Sequence, residues 1–179
     1  MNFTQNYFDL FNLPINFTVD NNRLAAAYRD LQKQFHPDKV ADKPASEQRI
    51  AVQFAGFINT AYETLRSPVS RAIYMLAEKG FSIDEQAATV SDGQFLFLQM
   101  EWRESLSSII SLIDKDEAEE QLEQLEQQVN QSFSDFQQIF DKQYSDEAFE
   151  AAKATIAKMQ FVAKMLAEID GAESTIFDD

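Results

Sequence analysis

Cysteine is absent from all 179 residues and histidine occurs once. Disulfides, thiolate chemistry and cysteine-ligated zinc or iron–sulfur sites are therefore excluded, and a histidine-based metal site is not expected. The four glycines form no phosphate-cradling loop. No apolar run reaches the roughly 18 residues of a membrane span, and the first residues carry neither a signal pattern nor an Arg-rich transit pattern. A chain in a reducing compartment is expected, most simply a bacterial cytoplasm, with no bound cofactor.

What the chain does have is apolar content and an excess of acid. Hydrophobic residues make up 45%, enough for real cores, so disorder is not the reading. The formal charge of −15 is unevenly spread. Residues 1–80 hold 9 Lys/Arg against 8 Asp/Glu, a net of +1, whereas residues 81–179 hold 6 against 22, a net of −16. Such asymmetry points to two modules with different partners. An acidic half argues against nucleic acid, whose phosphates need a basic footprint.

The single histidine lies in Gln34-Phe35-His36-Pro37-Asp38-Lys39-Val40, between two helical patterns. Upstream, Leu24, Tyr28, Leu31 and Phe35 fall at i, i+4, i+7 and i+11, one face of a helix. Downstream, Ile50, Phe54, Phe57, Ile58, Ala61 and Leu65 mark a second. Pro37 lacks an N–H and pushes His36 out of the α region, so the tripeptide belongs at a tight corner where the first helix ends. A lone imidazole is ordinarily a surface group without a role. Here Arg29 and Lys33, spaced i, i+4, form a cationic stripe leading to that corner, a surface suited to steering and registering an acidic partner. Helix, His-Pro-Asp and helix in this order resemble a J-domain, whose family stimulates ATP hydrolysis by a seventy-kilodalton heat-shock chaperone.

Around this hairpin the spacing predicts a short segment at 7–11, a helix from Asp20 or Asn21 to about Phe35, and a long helix from the Pro44–Ser46 region to Arg66. Ser67-Pro68 starts a last short helix over 69–79, which Gly80 ends. Residues 1–80 form the first module and 81–91 a connector.

Residues 92–179 read as three antiparallel helices, expected as a bundle or curved hairpin. The first is capped by Asp92 and runs to about Ile113, with Phe95, Leu98, Trp102, Leu106, Ile109 and Ile113 as its core face. The second, over 116–141, carries Ala118, Leu122, Leu125, Val129, Ser132/Phe133, Phe136 and Ile139/Phe140 near a seven-residue period. A homodimeric coiled coil is the alternative for this helix. The third runs from a cap at Asp146 to Asp170, before Gly171, with Phe149, Ala152, Ile156, Met159, Ala163 and Leu166 facing inward. Leu96, Phe97 and Met100 lie off the first core face, beside Glu101 and Glu104, and Phe161 lies off the third. These residues either pack on the connector or first module, or form an exposed apolar patch with an acidic rim, the usual mark of a partner site.

An N-terminal J-domain followed by a small acidic helical domain, over nearly the whole length, resembles the HscB (Jac-type) co-chaperones of iron–sulfur cluster assembly. The resemblance is carried by Tyr7-Phe8-Asp9-Leu10-Phe11-Asn12-Leu13-Pro14, His36-Pro37-Asp38-Lys39, Asn59-Thr60-Ala61-Tyr62, Leu65-Arg66-Ser67-Pro68 and Arg71-Ala72. In the second module it rests on Phe95-Leu96-Phe97 and Met100-Glu101-Trp102-Arg103-Glu104. It implies an all-α fold and two partners: an HscA-type chaperone at His36, Pro37, Asp38, Arg29 and Lys33, and the scaffold protein IscU at Leu96, Phe97, Met100, Glu101, Glu104 and Phe161. Gln160 departs from the family pattern, which favours a basic residue there.

Two other functions compete. One is a J-domain adaptor for a general DnaK-type chaperone with a different client. The other is a small enzyme using His36 and Asp38 as an acid–base pair. Proline splays those side chains and no Ser or Cys nucleophile accompanies them, so an adaptor without catalytic residues is expected. An EF-hand over 114–120 also fails, for want of alternating oxygen ligands and a central glycine.

Overall fold

Helices begin where short polar side chains satisfy free backbone N–H groups. The computed structural model describes residues 2–35, 39, 42, 44–83 and 92–177, which hold seven helices and no strand. Asn6 caps α1 (Tyr7–Leu10) by accepting from the Phe8 N–H at 2.9 Å. Asp20 caps α2 (Asn21–Gln34) through the Asn22 and Arg23 N–H groups. α3 (Ala45–Arg66) starts behind Pro44 with no side-chain cap. α4 (Pro68–Glu78) opens on proline, whose missing N–H is harmless at a first helical position. Beyond it Gly80 takes φ +85°, and the Phe81 N–H donates to the Leu76 carbonyl at 3.0 Å, closing a Schellman turn. The chain divides into two compact units, Met1–Met75 and Leu76–Asp179, the division falling inside α4.

In the first unit α2 and α3 pair antiparallel, since Tyr28 meets Tyr62 at 4.0 Å while Phe35 meets Phe54 at 4.7 Å. Leu24, Ala51, Phe54, Ile58, Ala61 and Leu65 are buried between the helices with Phe8 and Phe11. Each such large side chain contributes about 1.5–3 kcal/mol. The α3 row starts at Ala51, not at Ile50, which is 43% exposed. The buried row runs through Ala51, Phe54, Ile58, Ala61 and Leu65 in alternating steps of three and four, and Ile50, one residue before its start, falls at the exposed edge. Arg71 is buried beneath the α3–α4 junction. Its Nη1 donates to the Leu65 carbonyl at 2.6 Å and its guanidinium lies 5.0 Å from the Phe17 ring. Loss of solvent lowers its pKa to about 10.

The second unit is an up-down-up set of helices, α5 (Gly93–Ile110), α6 (Lys115–Ser145) and α7 (Phe149–Phe177). The pairs Phe95–Phe136 and Gln143–Thr155 make both successive neighbours antiparallel. The heptad face of α6, with Ala118, Leu122, Leu125 and Val129 between 0 and 4% exposed, is used inside the unit and not held out for a coiled-coil partner. Phe81, read as connector, rests its ring 5.0 Å from Phe149 within this unit.

Three boundaries differ from expectation. α5 stops at Ile110, because Asp114 turns back to cap α6 through the Asp116 and Glu117 N–H groups. Ile113, expected in the core, is consequently 98% exposed. Asp146 closes α6 and does not open α7. The chain turns there through Glu147 at φ +58°, with the Ala148 N–H on the Gln143 carbonyl at 2.8 Å. This is a Schellman closure without glycine. Gly171 sits inside α7, since Ile169 and Ala172 on either side are buried in the core. That packing outweighs the roughly 1 kcal/mol that glycine costs a helix. The inward row of α7 holds at Ala152, Ile156 and Met159, all fully buried, but shifts beyond them. Val162, Met165 and Ile169 are buried, while Ala163 and Leu166 lie on the flank, and Thr155 is buried as well. The Thr155 hydroxyl is satisfied by Gln143 Oε1 at 2.8 Å, which permits a polar residue there.

Candidate partner-binding surfaces

On the first unit, Arg29 and Lys33 are exposed on α2, Lys33 in its last turn, where the helix dipole favours a cation. The backing is firm. Tyr28 stacks on Tyr62, and its hydroxyl donates to Asn59 Oδ1 at 3.1 Å. The stripe therefore rides on a helix tied to its neighbour through adjacent side chains. His36, Pro37 and Asp38, read from the sequence as the recognition corner, lie outside the described residues.

On the second unit, α5 has two apolar faces. Phe95, Trp102, Leu106 and Ile109 are 3 to 7% exposed and form the core face. On the outer side Leu96, Phe97 and Met100 are 55, 63 and 62% exposed. Of the two readings open for these residues, exposure is the one observed. Three large apolar side chains side by side in water are unfavourable unless something covers them. Glu101 and Glu104 are exposed next to them and line a groove of about 700 Å³ between α5 and α6, which Glu117 and Glu120 also line. This acidic rim is a property of both helices.

Phe161 sits differently from the other patch residues. It is half-buried and packed against the core, 5.7 Å from Phe95 and 6.5 Å from Trp102. It is the wall joining α5 to α7, with one side open, and the neighbouring Gln160 is half-buried. The guanidinium of Arg103 lies 5.5 Å from the Phe161 ring, a cation on the open side. Sequence reasoning passed over Arg103 as a site residue. The signal for it is spacing, because Leu96, Met100 and Arg103 follow one another at i, i+4 and i+7.

The entry to α5 is held by Asp92. One oxygen accepts from the Gln94 and Phe95 N–H groups, both at 3.1 Å, and the other pairs with Lys158 of α7 at 2.5 Å. The hydrogen bond from Lys158, the two backbone donors and the ammonium charge hold its carboxyl below the usual carboxylate range. Among the described residues no group of three His, Asp or Glu side chains is placed to hold a metal ion, and no helix is long and apolar enough to cross a membrane.

Comparison with known proteins places this architecture. Residues 6–74 match the DnaJ domain family, which makes the first unit a J-domain and the chain a J-domain protein. Residues 91–170 match the family described as the HSCB C-terminal oligomerisation domain. The co-chaperone protein HscB homolog of Shewanella amazonensis is 39% identical over 180 residues, covering 97% of this chain and 99% of the relative. Chaperone HscB from Vibrio cholerae superposes with a TM-score of 0.86 at 35% identity, over 97% of this chain and all of that one. Human co-chaperone protein HscB gives 0.85 at 28% identity, over 95% and 83%. The chain belongs to the HscB family of J-domain co-chaperones.

Proposed function

We propose that the chain is an adaptor without catalytic residues of its own, acting in iron–sulfur cluster assembly in the bacterial cytoplasm. Its acidic unit binds an IscU-type scaffold protein. Its J-domain engages an HscA-type chaperone and stimulates that chaperone's ATPase. The observation that carries this reading is the outer face of α5, where Leu96, Phe97 and Met100 stand more than half exposed on a family member of known co-chaperone type. Glu101 and Glu104 on the rim select a partner with complementary charge. On the other unit Arg29 and Lys33 steer an acidic chaperone surface towards His36, Pro37 and Asp38. Holding both partners on one chain raises the effective concentration of scaffold at the chaperone.

Two titrations test the two halves. Changing Leu96, Phe97 and Met100 together to Ala is expected to weaken calorimetric binding of the scaffold by several kcal/mol. Unchanged affinity in a folded variant rejects the patch. These three positions are preferred to Phe161, whose truncation would also disturb the Phe95–Trp102 packing. For the J-domain, His36→Gln is expected to abolish ATPase stimulation, and full stimulation by that variant rejects the corner.

A further inference from the structure

One cation reaches all three helices of the second unit beside the patch. Lys158 of α7 is largely withdrawn from solvent, with 21% of its side chain exposed. Its Nζ pairs with Asp92 at the start of α5 and lies 5.4 Å from the Phe95 ring and 5.5 Å from the Phe136 ring of α6. Asp92 spends its second oxygen on the cap of α5. A single carboxylate thus starts α5 and joins it to α7. The patch has the same two-helix construction. Leu96, Phe97 and Met100 stand on α5 just after the cap, and Phe161 stands on α7 one turn beyond Lys158, against Phe95. Apolar contacts alone tolerate small rotations of one helix on another, because they are not directional. An ion pair whose carboxylate is also held by two backbone N–H groups does not.

We propose that Asp92 and Lys158 are positioning residues for scaffold binding: their ion pair sets the rotation of the first turns of α5 against α7 and so holds Leu96 and Met100 in line with Phe161. The inference rests on the scaffold reading above, and adds that the surface is preorganised before the partner arrives.

The test uses the full chain and purified IscU-type scaffold in calorimetric titrations, at a temperature well below the melting transition measured on the same samples. Asp92→Asn keeps the cap, since asparagine caps as well as aspartate, but removes the charge. Lys158→Met keeps an apolar side chain over the two rings. Each is expected to weaken binding about three- to tenfold, the double variant no further than either single, and Lys158→Arg to recover most of the affinity. Leu96→Ala with Phe97→Ala serves as the control, with a larger loss. If the control loses affinity while Asp92→Asn and Lys158→Met bind like wild type, or the double loss is the sum of the singles, the clamp is structural only and this inference is overturned alone. If wild type does not bind, or the control binds like wild type, the scaffold reading fails and takes the inference with it. Should Lys158→Met not fold, Asp92→Asn decides.

Discussion

The two units present their surfaces in opposite ways. The J-domain carries a near-balanced charge and exposes two cations, Arg29 and Lys33, on one helix. The second unit carries most of the acid of the protein and offers its apolar patch from the first turns of an unbroken helix. On the proposed reading, recognition at the first is long-range and electrostatic, and at the second short-range and apolar with charge at the rim. Such a division would let conditions that weaken one contact leave the other in place.

The sharpest way to break the comparison is to cut both faces of α5. Trp102→Ala removes a side chain that is 3% exposed and is expected to destabilise the second unit by about 3–5 kcal/mol in a denaturant titration. The Leu96, Phe97 and Met100 alanine variant, on the opposite face, should keep its midpoint within about 0.5 kcal/mol and lose scaffold binding instead. If the outer variant unfolded as readily as the inner one, the two faces would not be functionally distinct. In the J-domain, Arg71→Ala removes the Leu65 contact and the packing on Phe17, and a loss of about 2–4 kcal/mol is expected by thermal melting.

These expectations depend on how far the fold could be read in advance. Starts were legible at Asp20, Pro68 and Asp92, because each combines a start signal with an apolar period behind it. The Asp114 cap of α6 was missed, since the preceding apolar row carries on to Ile113. Ends were less legible. Glu147 takes a left-handed conformation that the sequence marks with no glycine, and Gly171 is a stop signal overruled by the buried Ile169 and Ala172. On α7 the row through Ala152, Ile156 and Met159 was legible, but Thr155 hid the buried face beside it, since a polar letter breaks an apolar pattern even when Gln143 satisfies its hydroxyl. In the patch, the place of Leu96, Phe97 and Met100 opposite Trp102 on a helical wheel put them off the core face but left open whether they packed elsewhere. Their exposure came from the structure. Phe161, Arg103 and Lys158 depend on how α5 meets α7, a contact between residues far apart in the chain that no local period encodes.

Smaller effects sharpen the electrostatic half. Arg29→Ala with Lys33→Ala is expected to reduce chaperone activation a few-fold at low ionic strength, with the difference shrinking as salt is added. Scaffold binding by the same variant should not change. Smallest is a pH effect at Asp92. Its folded-state pKa lies below the unfolded value, so the stabilisation is complete above the ordinary carboxylate range and is lost as pH falls through the depressed pKa. Asp92→Asn should flatten that acid-side step in a series of thermal melts, without altering stability trends above neutrality.

On the proposed reading the two surfaces work independently. The most direct test of this is the chaperone's steady-state ATPase, titrated with the Leu96, Phe97 and Met100 alanine variant in the absence and presence of scaffold. Without scaffold the variant should stimulate as wild type does; with scaffold, wild type is expected to stimulate further, by bringing the scaffold to the chaperone, and the variant is not. A variant that fails to stimulate on its own, or that retains the full gain with scaffold, would contradict it.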